Sequence, residues 1–221
     1  MDWQALTLSL ELAAATLVVL LPAGVWVARW LARTRVAAKG WVEALVVLPL
    51  VLPPTVLGYY LLVSLGGASP IGRWASEVLG IRLTFNFVGL LLASVVFNVP
   101  FLVQPVQRAF EAIPRQLGEA AAVSGLSAWQ TFWRVELPLA WPGVLSAMVL
   151  TFVHTLGEFG VVLMIGGSIP GETKTIAIAI YDRVQAFDLA SANRMALLLL
   201  VFSLAAVGSS FFASARLAAR R

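Results

Sequence analysis

The chain contains no cysteine, a single histidine and very little charge. Without cysteine it has no disulfide, no thiolate metal site and no thiol nucleophile. Charged residues make up 12% of it and hydrophobic ones 60%, with a mean hydropathy of +0.91; soluble domains carry about a quarter charged residues. Those figures exclude an ordinary soluble fold and point to an all-α polytopic membrane protein. With about 20 residues needed per crossing, 221 residues hold five or six spans and no extramembrane catalytic domain. A phosphate-binding loop is missing too. The nearest approach to G-x-x-x-x-G-K-[ST] is "GGSIPGETK", where Glu172 stands in place of the lysine that would meet the phosphates.

What is present is a series of long apolar runs, at about 6–30, 42–65, 85–106, 139–165 and 195–217. The first follows Met1, Asp2, Trp3 and Gln4 without a basic n-region, so it is expected to be a retained span rather than a signal peptide. The pI of about 10.1 would suit nucleic acid, but the fifteen Lys and Arg are strung along the chain rather than clustered. They read better as a topology signal. Arg29, Arg33, Arg35, Lys39, Arg108, Arg115, Arg134, Arg216, Arg220 and Arg221 follow the first, third and fifth runs. Arg73, Arg82, Lys174, Arg183 and Arg194 follow the second and fourth. By the positive-inside rule the N-terminus is expected outside and the C-terminus in the cytoplasm. Prolines 49, 53 and 54 interrupt the second run. The segment 173–190 is apolar in its first half but too short and too charged to cross alone. It is expected to be an outer partial or re-entrant helix, or a surface helix among the headgroups.

Between the third and fourth runs, at 108–138, lies a polar-faced insertion, "EAAAVSGLSAWQTFWRVELPL". Pro114 suits a helix start, and the alanines have high helix propensity. Gly125 is the usual residue for a left-handed helix cap. Ser127 with Gln130 three residues on has the pattern of a capping box. Trp129, Phe132 and Trp133 then recur on one helical face. The spacing predicts a helix, a glycine turn and a second short helix ending before Leu137 and Pro138. Two interfacial helices lying in the headgroups would fit the same composition.

Glu119, Ala120 and Ala121, then Gly125 after three residues, and Val135, Leu137 and Pro138 after nine more, resemble the EAA signature of permease subunits of binding-protein-dependent ABC importers. Val135 stands where that family usually has isoleucine. The resemblance runs from about residue 45 to 217 and implies a type I importer permease in a prokaryotic inner membrane. The loop would be the coupling helix, docked on an ATP-hydrolysing subunit. The docking residues would be Glu119, Ala120 and Ala121, the turn Ser124, Gly125, Leu126 and Ser127, and the aromatic face Trp129, Phe132 and Trp133. The chain itself is then no enzyme and holds no cofactor, ATP and magnesium belonging to the partner. The implied assembly has two permease and two ATPase subunits, the permeases identical or paired paralogues, and is fed by an extracytoplasmic binding protein. Nucleic acid has no place in it.

The phrases "LGEFG" and "GSIPGETKTI" are similar to molybdate permeases and, more distantly, to sulfate permeases. This likeness implies an oxyanion cargo, molybdate or tungstate, with sulfate or another small solute as the alternative. Glu158 in an apolar run should face the protein interior. His154, one turn earlier on the same face, makes a metal site of only two ligands, too few for zinc. A His154–Glu158 hydrogen bond, or a small cluster with Thr151 and Thr155, is expected instead. Asn86, Asn98, Gln104, Ser146, Thr151, His154 and Glu158 are the candidates for a pathway or gate, each equally able to serve as a helix–helix hydrogen bond. A polytopic membrane enzyme or a purely structural membrane subunit remain the rival classes.

Overall fold

The computed structural model describes residues 1–219, with side chains as far as Phe212. Arg220, Arg221 and the side chain of Arg216 therefore lie outside the described residues. Among those described there are helices and no strands. The helices are α1 Trp3–Arg33, α2 Lys39–Val51, α3 Pro54–Leu65, α4 Pro70–Val78, α5 Phe87–Glu111, α6 Arg115–Val123, α7 Ala128–Thr131, α8 Leu137–Gly157, α9 Gly160–Gly166, α10 Ile176–Gln185 and α11 Leu189–Ala219.

Four of the described helices are long and apolar enough to cross a membrane: α1, α5, the continuous helix Ala128–Gly157, and Leu189–Phe212 of α11. The pair α2 and α3 reaches the same standard together but bends by 107°. The cause is local. Leu52 precedes Pro53, which disfavours the helical region for it, and it is extended at φ −69°, ψ 139°. Pro54 then opens α3 at its first position, where a missing N–H costs nothing.

The core lies where α1, α5 and α8 meet. Leu31, Leu102, Val106, Phe110 and Val144 are all buried there. Close approach depends on small residues: a Cβ on Gly143 of α8 would stand 2.5 Å from the Cβ of Ala109 on α5. A second cluster joins α3, α5 and α9 through Leu57, Leu90 and Val161. The third is smaller and joins the start of α1 to α10 and α11 through Ala5, Ile176, Ala179 and Met195.

Two features depart from the sequence-based reading. The second short helix does not stop before Leu137. It runs on through Phe132–Glu136, a five-residue π-helical turn, directly into α8. The Leu137 N–H reaches back to the Phe132 carbonyl, a spacing that absorbs Pro138 at the head of α8 without a break. The fourth apolar run is not one helix either. It breaks at Glu158, which is extended at ψ 128°, and resumes as α9 at Gly160. Segment 173–190 contains the ten-residue α10, which packs on the rest of the chain through its buried Ile176, Ile178 and Ala179.

Candidate functional site

The insertion between α5 and α8 is built from two interlocking caps. At the end of α6 the Leu126 N–H bonds the Ala121 carbonyl and the Gly125 N–H bonds the Ala122 carbonyl, both at 3.0 Å. That is a Schellman motif, and Gly125 sits at φ +80°, where a side chain is strained. Two residues later the Ser127 hydroxyl accepts from the Gln130 N–H at 3.2 Å. The Gln130 side chain accepts from the Ser127 N–H at 2.9 Å. With both caps satisfied locally, the turn keeps its shape while Ser124, Gly125 and Ser127 stay exposed. Glu119 and Ala120 are also exposed, whereas Ala121 is buried and Leu126 half-buried.

The aromatic face is divided. Phe132 is only 2% exposed and belongs to the α1–α5–α8 core. Its ring stacks on Trp26 of α1 at 4.9 Å and lies 6.4 Å from Phe110 of α5. Phe132 is thus spent on the chain's own packing, and its expected docking role is corrected. Trp129 and Trp133 are half exposed, with Trp129 stacked on Trp26 at 5.7 Å.

Beneath these rings lies a set of charges that sequence reasoning passed over. Glu136, in the gap between Val135 and Leu137, is 5% exposed. It accepts from Arg29 Nε at 2.5 Å. Arg33 Nη2 is 3.2 Å from its other oxygen, a charge contact rather than an aligned hydrogen bond. The Arg29 guanidinium also lies 5.3 Å from the Phe132 ring centre, within cation–π range. The only sequence signal was an acid beside two basic residues 107 and 103 positions away.

The second group of polar residues sits in the apolar interior, where α5 faces the break between α8 and α9. Glu158 Oε2 accepts from the Ser94 hydroxyl at 3.1 Å and from Asn98 Nδ2 at 3.3 Å. Asn98 Oδ1 lies 3.0 Å from His154 Nδ1, and since an amide oxygen can only accept, the imidazole donates through Nδ1. The His154 ring stacks on Phe101 at 3.7 Å. The expected direct His154–Glu158 bond is therefore replaced by a relay through Asn98 of a different helix. Thr151 and Thr155 are not its partners: the Thr155 hydroxyl bonds the Thr151 carbonyl, and Thr151 Oγ1 is buried without a hydrogen bond. Glu158 Oε1 is also buried and unpartnered. Ser94, fully buried, was missed because a lone serine in an apolar run carries no signal of its own.

The remaining pathway candidates lie apart from this cluster. Asn86 caps α5, accepting from the Gly89 N–H at 2.9 Å, which accounts for it as a structural residue. The Ser146 hydroxyl bonds the Pro142 carbonyl in its own helix. Gln104 lines a cavity with Glu43, Gln107 and Arg108, toward the end of α5 that leads into the insertion. No group of three or more His, Cys, Asp or Glu able to hold a metal occurs among the described residues.

Residues 21–221 match the family described as binding-protein-dependent transport system inner membrane component. The chain is 51% identical over 203 residues to the molybdenum transport system permease protein ModB of Azotobacter vinelandii, covering 91% of this chain and 89% of that protein. Against ModB of Escherichia coli K12 it is 38% identical over 184 residues, covering 83% and 80%. Its fold matches a bacterial alginate ABC transporter, solved with a pentasaccharide-bound periplasmic protein, with a TM-score of 0.77 at 19% identity over 96% of this chain and 78% of that one. The chain belongs to the binding-protein-dependent transport family, as one of its multi-pass inner-membrane permease subunits.

Proposed function

We propose that this chain forms half of the membrane pathway of an ATP-driven importer for molybdate or the closely similar tungstate. The observation that carries the cargo assignment is its 51% identity, across nine-tenths of its length, to a molybdenum transport permease. Two copies related by a two-fold axis complete the pathway. An ATPase subunit engages each helix–glycine–helix loop, and an extracytoplasmic binding protein delivers the dianion. ATP and magnesium reside on the ATPase. The N-terminus lies outside and the loop 108–138 lies in the cytoplasm, as the charge distribution favours.

Division of labour follows from the chemistry of the spans. A tetrahedral dianion is selected by a soluble protein that surrounds it with hydrogen-bond donors. The permease then needs a path without a deep trap. The interior here fits that need, since at the α8–α9 break Ser94 and Asn98 engage only Oε2 of Glu158 and no cation that could trap an anion is paired there among the described residues. Ser94, Asn98, His154 and Glu158 hold the α8–α9 break against α5, and that break is the element of the pathway we assign to opening and closing.

The test is uptake by proteoliposomes containing the chain, its ATPase and its binding protein. Labelled molybdate should accumulate only with ATP inside the compartment that faces the loop, and excess unlabelled tungstate should suppress uptake where sulfate does not. Uptake suppressed by sulfate and indifferent to tungstate would reassign the cargo, and uptake without ATP would reject the importer reading.

A further inference from the structure

We infer that α1 is the strut that carries the movement of the cytoplasmic loop to the outer segment α10, with Glu136, Arg29 and Arg33 as its inner joint and Ser9 as its outer joint. The inference rests on the importer reading above and adds a route within the chain.

At the inner end, the π-helical turn that follows the Gly125 turn holds Glu136 between Arg29 and Arg33 of α1. The aromatic stack of Trp26 on Trp129 and Phe132 adds a second contact between the same two elements. A displacement of the loop is therefore passed to the end of α1 through both charge and packing. At the outer end, the Ser9 hydroxyl accepts from the Ile176 N–H at 2.8 Å while donating to the Ala5 carbonyl at 2.9 Å. Ile176 is the first residue of α10, and Ser9 and Ile176 are both buried. Between the joints, Ser9 and Arg29 lie on one helix that continues through Pro22, where one ladder hydrogen bond is missing; they are about 30 Å apart at 1.5 Å per residue, which matches the hydrocarbon thickness.

Rigid elements with specific contacts at both ends are the physical means by which distant sites are coupled. Among the described residues no hydrogen bond or ion pair joins Ser9, Arg29, Arg33 or Glu136 to the Ser94–Asn98–His154–Glu158 cluster, so the strut is a second link beside the α5–α8 packing. Glu136, Arg29, Arg33 and Ser9 are positioning residues: they act through α10 and not on the cargo.

The experiment uses the reconstituted transporter with Val184→Cys, an exposed α10 position in a chain that has no native cysteine. Labelling of this cysteine from the outer side is compared with and without ATP, alongside the ratio of cargo moved to ATP hydrolysed. Glu136→Gln and Ser9→Ala should each leave the ATPase bound but reduce the ATP-dependent change in labelling and the transport ratio by about tenfold, within the usual range of coupling between distant sites. Glu136→Asp should recover part of both. Wild-type labelling changes and transport ratios in Glu136→Gln and Ser9→Ala would overturn the strut. If Glu136→Gln fails to assemble, Ser9→Ala decides by the same readouts, since it removes one neutral hydrogen bond at the far end. Absence of ATP-driven uptake in the wild-type transporter would overturn the importer reading itself.

Discussion

Replacing Phe132 by alanine separates a core residue from a docking residue. The ring is 2% exposed and lies in the α1–α5–α8 core, with Trp26 at 4.9 Å and the Arg29 guanidinium at 5.3 Å. Truncating a buried phenylalanine costs about 3–5 kcal/mol in soluble cores. The lower end applies here, because lipid gives the exposed groups an apolar alternative that water would not. A loss of about 3 kcal/mol corresponds to roughly 6–12 °C in a chain of this size. Trp129 is 58% exposed, and its truncation forfeits its stack on Trp26 and its edge contact with Trp133, about 0.5–1.5 kcal/mol each at most. The assay is thermal loss of the monodisperse permease in detergent, followed by recovery of the ATPase at a temperature where each variant is still folded. Phe132→Ala should show the large thermal shift and Trp129→Ala a smaller one. An unshifted Phe132→Ala that no longer binds ATPase would refute the assignment of this ring to the chain's own core.

Three further outcomes follow from the same geometry. Gly125→Ala should cost about 1–2 kcal/mol from backbone strain alone, since a Cβ there meets nothing within 4 Å; Gly125→Val should insert normally but lose coupled ATP hydrolysis, and Gly125→Asn should keep it. Asn98→Leu leaves His154 Nδ1 without its partner and Glu158 with Ser94 alone, so thermal stability should fall by about 1–3 kcal/mol for the polar group left unpaired, more than for Ser94→Ala; equal shifts would contradict the relay through Asn98. Phe187, 90% exposed at φ +58°, occupies the left-handed turn between α10 and α11, so Phe187→Asn should raise stability by about 1 kcal/mol, and a fall would show that the ring has a partner.

What the sequence disclosed was mostly local. The Gly125 cap and the Ser127–Gln130 capping box need only residues within five positions of one another, and both form as their spacing dictates. Apolar runs disclosed the helical fold, because backbone groups in lipid must bond within their own segment. Continuity through Pro138 was hidden, since a π-helical turn has no compositional mark and proline at a helix head usually signals a fresh start. Glu136 looked like one more polar residue of the loop until α1 folded beside it. His154 and Glu158 were correctly suspected of sharing a cluster, but their link is Asn98, 56 and 60 positions away, and no period or motif pairs such residues.

The central claim is that the exposed Gly125 turn lies in the cytoplasm and is covered by an ATP-hydrolysing partner. Ser124→Cys tests it most directly, because the chain is otherwise free of cysteine and this exposed hydroxyl bonds only the Ala120 carbonyl of its own helix, leaving the Ser127 cap intact. With a membrane-impermeant thiol reagent, the account predicts labelling in inverted vesicles, none in intact cells, and protection of the vesicle site when the ATPase is bound. Labelling from outside intact cells, or labelling in vesicles that the bound ATPase leaves unchanged, would contradict it.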